Sequence, residues 1–121
     1  DDHAAIEATV RDYVDGWYAG DAERMERALH PDLAKRSMRT LPNGSEYLDT
    51  ASASNMVAYT TMGFSKGKLP EGYVNQVTIL ETTEKMAMAK SIAPEFIDYI
   101  HLAKTAEGWK IVNVLWEPVE Q

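Results

Sequence analysis

From Tyr73 onward the apolar residues of this chain repeat every second position, and that change of period limits the folds open to it. Four alternating segments follow one another: YVNQVTILET, KMAMAKSI, EFIDYIHLAKT and WKIVNVLWEPV. The connections at Thr83–Glu84, around Pro94 and at Ala106–Gly108 are too short for a parallel crossover, so consecutive strands must pair antiparallel. The C-terminal half is therefore expected to be a four-stranded meander. Its third strand is unusual. EFIDYIHLAK carries Phe96, Ile100 and Leu102 on one side, and Ile97 and Tyr99 on the other. Asp98 belongs with the first set and His101 with the second. A sheet with one wet face would alternate apolar with polar, so both faces need cover.

Before Tyr73 the period is helical. Ile6, Val10, Tyr13, Val14 and Trp17 recur at the spacing of one helix face in AAIEATVRDYVDGWYAGD. Asp1 or Asp2 can cap its start, and Gly20 suits a left-handed exit. Asp21 caps a second helix, AERMERAL, which His30-Pro31-Asp32 ends because proline cannot continue the hydrogen-bond ladder. LAKRSMRTL reads as a short strand and Pro42–Gly44 as a turn. SASNMVAYTTMG, with Met56 and Tyr59 or Thr60 inward, reads as a third helix closed by Gly63, and SKGKLPEG reads as a loop. Helices first and strands last give an α+β domain, with three N-terminal helices packed on one face of a curved antiparallel sheet. At 121 residues the chain, 1–121, is expected to be a single domain.

Composition removes several functions. A net charge of −7 opposes nucleic-acid binding, which rests on neutralising phosphates. There is no cysteine, so thiolate zinc sites and a cysteine nucleophile are out. His3, His30 and His101 lack metal-ligand spacing, and no phosphate loop or nucleophile elbow occurs, so neither a metal nor a cofactor is expected. No apolar run is long enough to span a membrane. The opening DDHAAIEATV lacks signal-peptide character, so a cytoplasmic location is expected.

Registering the meander on hairpin loops at Thr83-Glu84, Pro94-Glu95 and Glu107-Gly108 puts Met88 opposite His101, Lys90 opposite Tyr99, Tyr99 opposite Trp116 and His101 opposite Val114. One face then gathers Lys90, Tyr99, His101, Val114 and Trp116. The other gathers Ala87, Ala89, Ser91, Asp98, Ile100, Asn113 and Leu115. The aromatic, polar face is expected to line a site. The smoother face, with its small residues, is expected to meet a second copy of the chain in a homodimer. Lys35, Arg36 and Arg39 form a small basic cluster that could clamp an anion at the mouth of such a site, although runs of this kind are more often solvated strand edges.

Two helices, a strand, a helix and a four-stranded meander is also the element order of the cone-shaped nuclear transport factor two-like fold. YVDGWYAGD (Tyr13 to Asp21) resembles the end of the first helix in that superfamily, ketosteroid isomerases included. ALHPDLAKRSM and FIDYIHLAKTAEGWKIVNVLW resemble its SnoaL-like, lumazine-binding branch. The resemblance implies the fold but no single function, since the fold hosts enzymes and non-catalytic binders alike. It places Tyr13 where ketosteroid isomerases hold a tyrosine that donates to the substrate oxygen. Counting from Tyr13 places Ser37 where they hold an aspartate base, so no steroid isomerase activity is expected. Their protonated aspartate on the third meander strand maps to Tyr99 when counted from Trp116, and to Asp98 when matched on the local FID.

The expectation is a binding protein for a planar or apolar small molecule, with an aromatic-lined cavity inside the cone. Trp17, Tyr59, Lys90, Tyr99, Trp116 and Arg36 are its expected ligand contacts. The alternative is a cofactor-independent cyclase, dehydratase or isomerase, with His101 as acid or base and Tyr13 polarising an oxygen.

Overall fold

The protein was studied as a computed structural model, which describes residues 1–120. The elements run α1 (His3–Ala19), α2 (Ala22–Ala28), β1 (Leu29–Thr40), β2 (Glu46–Ala51), α3 (Ala53–Met62), β3 (Gln76–Thr82), β4 (Met86–Ile92), β5 (Phe96–Thr105) and β6 (Gly108–Pro118). The fold is α+β, with three helices against one six-stranded sheet of order β2-β1-β6-β5-β4-β3. β3 to β6 form the expected antiparallel meander. The sheet as a whole is mixed rather than antiparallel, because β1 runs parallel to β6 and β2 folds back on β1.

Local chemistry sets the helix ends. Gly20 sits at φ 67°, and its N–H donates to the carbonyls of Gly16 and Trp17, closing α1. Asp21 accepts from the Arg24 backbone N–H and starts α2. Ser52 and Asn55 exchange side-chain and backbone hydrogen bonds in a capping box that starts α3. Leu29 follows α2 directly and already belongs to β1, so Pro31 lies within an irregular stretch of that strand. Such a place tolerates the missing N–H. Strand β2 has no counterpart in the sequence reading. Its residues EYLDTA are almost all exposed and carry no apolar period.

The core forms where α1 lies against β3, β4 and β6. Ile6, Val10, Tyr13 and Val14 of α1 meet Ala87, Ala89, Ile100, Leu102, Ile111 and Val114 of the sheet, all buried. The small patch at Ala87 and Ala89 does admit a close second layer, as its size suggests. That layer belongs to the same chain. The face expected to meet a second copy is therefore under the helices.

The inversion has a local cause. β4 and β5 pair as the sequence reading has them, Met88 with His101 and Lys90 with Tyr99. The β5–β6 hairpin turns instead through Ala106 and Glu107, with Thr105 opposite Gly108. A bulge then intervenes: Leu102 faces Ile111, but His101 faces Asn113, leaving Val112 without a partner. One extra residue moves every later side chain of β6 to the opposite face. Trp116 therefore lies opposite Asp98 rather than Tyr99, and Val114 opposite Ile100 rather than His101.

Candidate ligand site

Beside the core, α1, β1, β2, α3 and the ends of β4 to β6 border a recess of about 400 Å³, with Asp49, Thr50 and Ala51 contributed by β2. Its wall is mostly aromatic. Trp17 meets Phe64 and Phe96 edge-on, with ring centroids 6.3 Å apart in each case. Phe96 stands perpendicular to Trp116 at 5.3 Å, and Tyr59 stacks on Phe64 at 5.5 Å. Interlocked rings of this kind resist collapse and keep flat faces available.

The polar floor consists of three residues from three elements. Tyr13 of α1 is buried and donates its hydroxyl hydrogen to Asp98 Oδ2 of β5. Lys35 Nζ of β1 donates to the Tyr13 hydroxyl oxygen at 2.6 Å. The Lys35 nitrogen also lies 4.9 Å from the Tyr13 ring centre and 5.5 Å from that of Trp116. Lys35 as a whole is half-buried because it borders the recess, whereas Asp98 is only 4% exposed. Strand alternation explains the arrangement. Leu33, Lys35, Ser37 and Arg39 share one face of β1 and Arg36 takes the other.

Burial dominates the electrostatics of this cluster. It pushes the Asp98 carboxyl above its ordinary value, against the pull of Lys35 and the Tyr13 hydrogen bond. It lowers the Lys35 amine, with the charge of Asp98 opposing. The Tyr13 phenol is raised well above its usual value, first by burial and then by Asp98. Near neutral pH the phenol is therefore a donor and not a phenolate. A raised folded-state pKa means that folding favours the protonated Asp98. Its contribution is fully present below about pH 4 and is lost as pH rises through the raised folded value. The urea midpoint of wild type minus that of Asp98→Asn is expected to fall from pH 4 to pH 7, with other carboxylates cancelling in the difference. A rising difference would contradict the assigned direction.

Two buried polar atoms in this region have no hydrogen-bond partner among the described residues. One is Trp17 Nε1, on a residue that lines the recess, and the other is the Ser37 hydroxyl. A buried unpaired N–H is costly, and bound groups often satisfy one. Arg39 stands at the recess with its guanidinium 5.5 Å from the Trp116 ring centre.

The residues singled out from sequence separate into two groups. Tyr13, Trp17, Tyr59 and Trp116 border the recess. Tyr99, His101, Lys90 and Arg36 do not. Tyr99 is 57% exposed on the opposite face, and Lys90 lies over its ring. His101 is exposed there too, beside Asn113. Arg36 points outward from β1. The bulge in β6 accounts for the three meander residues, since the bulge-free register grouped them with Trp116. Asp98, which that register sent to the outer face, sits instead at the floor, as the local FID match implied. Lys35 and Arg39 are the members of the basic cluster that face inward; the alternation of β1 around buried Leu33 could have indicated this.

These features define a nuclear transport factor two-like α+β protein with an aromatic recess and a buried Lys-Tyr-Asp cluster. The solved structures it resembles share the fold at low identity. A nuclear transport factor two-like protein of unknown function from Silicibacter pomeroyi matches at 17% identity and TM-score 0.72, over 96% of this chain and 94% of that one. A similar protein of unknown function from Methylobacillus flagellatus matches at 19% and 0.69, over 99% and 94%. A ketosteroid isomerase-like protein from Erwinia carotovora atroseptica matches at 16% and 0.64, over 100% and 98%. Comparison with curated proteins finds no match. The family described as "Putative lumazine-binding" matches residues 1–117, and the chain belongs to it. No helix among the described residues is long and apolar enough to cross a membrane.

Proposed function

We propose that the protein binds a planar, largely apolar small molecule in the recess, its ring between the aromatic walls and a polar edge at Lys35 and Tyr13. The observation that carries this reading is the buried Lys35–Tyr13–Asp98 chain at the floor of an aromatic recess of about 400 Å³. That size falls within the range of small-molecule sites. The family description supports lumazine as a first probe.

Titration with lumazine, followed by tryptophan fluorescence, tests the reading. Trp17 and Trp116 border the site, so saturable quenching is expected in the micromolar range. Lys35→Met is expected to weaken binding about tenfold or more, the worth of one charge-assisted hydrogen bond. Unsaturable quenching by lumazine and by other flat heterocycles alike would contradict it. His101 is exposed and does not border this recess, so the proposed binding mode assigns it no contact.

The protein is further proposed to form a homodimer through the outer face of the sheet. Met38, Leu48, Met86, Met88, Tyr99 and Leu115 are exposed across five of its strands, a patch better covered than solvated. Light scattering is expected to give twice the 13.5 kDa chain mass. Leu115→Glu is expected to give monomers, because a like charge meets itself across a two-fold axis. A wild-type monomer at tens of micromolar would refute the dimer.

A further inference from the structure

We propose that Lys35 is a nucleophilic amine that captures aldehydes or ketones borne on planar aromatic molecules, forming an imine inside the recess. The inference rests on the binding reading above and adds the reactive group of the ligand. Three observations carry it. Lys35 Nζ sits at the floor of an aromatic recess, with the Tyr13 hydroxyl 2.6 Å away and no carboxylate within ion-pair distance among the described residues. Tyr13 connects it by hydrogen bonds to the buried Asp98 carboxyl, which also borders the recess. The neighbouring rings of Trp17, Phe96 and Trp116 would hold an aromatic carbonyl compound against it. Desolvation lowers the amine's proton affinity, the usual means by which a lysine becomes a nucleophile.

The chemistry balances without an oxidant or metal. The neutral amine donates one N–H to Tyr13 and keeps its lone pair for the carbonyl carbon. As the C–N bond forms, the carbonyl electrons pass to oxygen, which takes a proton from the Asp98 carboxyl, directly or through the Tyr13 hydroxyl. The nitrogen returns a proton to the Asp98 carboxylate by the same route. A second proton from the Asp98 carboxyl to the carbinolamine oxygen releases water, and the iminium N–H that remains returns its proton to the Asp98 carboxylate, leaving the neutral C=N bond. The sum is amine plus carbonyl giving imine plus water, with Asp98 cycling between its two protonation states.

The test is reductive trapping. The protein is incubated with 2-naphthaldehyde and cyanoborohydride at pH 7, digested, and mapped by mass spectrometry. The secondary amine is expected at Lys35 at least about tenfold faster than at exposed Lys66, Lys68 and Lys85. These lysines are references within the same wild-type chain, so the result does not depend on a variant folding. Lys35→Arg, checked by circular dichroism, should lose the fast adduct only. In parallel, 2-naphthalenemethanol presents the same ring without a carbonyl and is followed by tryptophan quenching. If the alcohol binds and the aldehyde labels Lys35 no faster than the surface lysines, imine capture is overturned and the binding reading stands. If neither compound binds and no fast adduct forms, both fall.

Discussion

Asp98→Ala is expected to destabilise the protein by about 3 kcal/mol, lowering the melting temperature by roughly 10 °C. The Asp98 carboxyl lies in the interior and takes the Tyr13 hydroxyl hydrogen, while Lys35 holds the other side of that hydroxyl. Removing the carboxyl leaves a buried phenol hydrogen without its acceptor and cuts the end off the hydrogen-bond chain that orients Tyr13 and Lys35. Most of the loss is thus the cost of stranded groups and not the worth of the pair. The prediction extends to a combination. Tyr13→Phe, Lys35→Met and Asp98→Leu made together strand nothing and are expected to melt within a few degrees of wild type. The triple variant should nevertheless lose ligand binding. Thermal denaturation and the lumazine titration on the same preparations check both halves. If the triple variant proved less stable than Asp98→Ala, the cluster would be a net structural support and not a group retained for function.

Ile100→Ala is expected to cost 2–5 kcal/mol, as for other large core aliphatics, while Tyr99→Ala, one residue away, should change the stability of the separated protomer by about 0.5 kcal/mol or less. Ile100 is 1% exposed beneath α1 and Tyr99 is 57% exposed on the outer face. Urea denaturation of the two variants in a Leu115→Glu background, where dimer contacts are removed, measures the contrast. Equal losses would mean that the β5 faces are assigned wrongly, and with them the position of Asp98.

This contrast also marks what the sequence reveals. The meander, the helix order and the capping residues Asp21, Gly20 and Gly63 follow from period and local chemistry, because each is decided within a few residues. The β4–β5 pairing follows as well, since no bulge interrupts it. The orientation of the sheet does not. It depends on Val112, an unpaired residue in β6 whose side chain differs in no way from those of paired neighbours. Because strand periodicity is two, that residue decides whether Tyr99 and His101 or Asp98 and Ile100 share a face with Trp116. β2 escaped notice because an exposed edge strand need not alternate. Tyr13 and Trp17 were legible from helical spacing and family likeness, whereas Trp116 was singled out through the bulge-free register of the meander. Lys35 was visible as part of a basic cluster, but its inward direction depends on where β1 begins.

The central claim is that a flat ligand lies in the recess with its polar edge on the Lys35–Tyr13–Asp98 chain. The most direct measurement is a crystal structure of the protein grown with lumazine. Ring-shaped electron density is expected between Trp17, Phe96 and Trp116, with a ligand heteroatom within hydrogen-bond distance of Lys35 Nζ. Density on the outer face beside Met86 and His101, with the recess filled only by water, would contradict it.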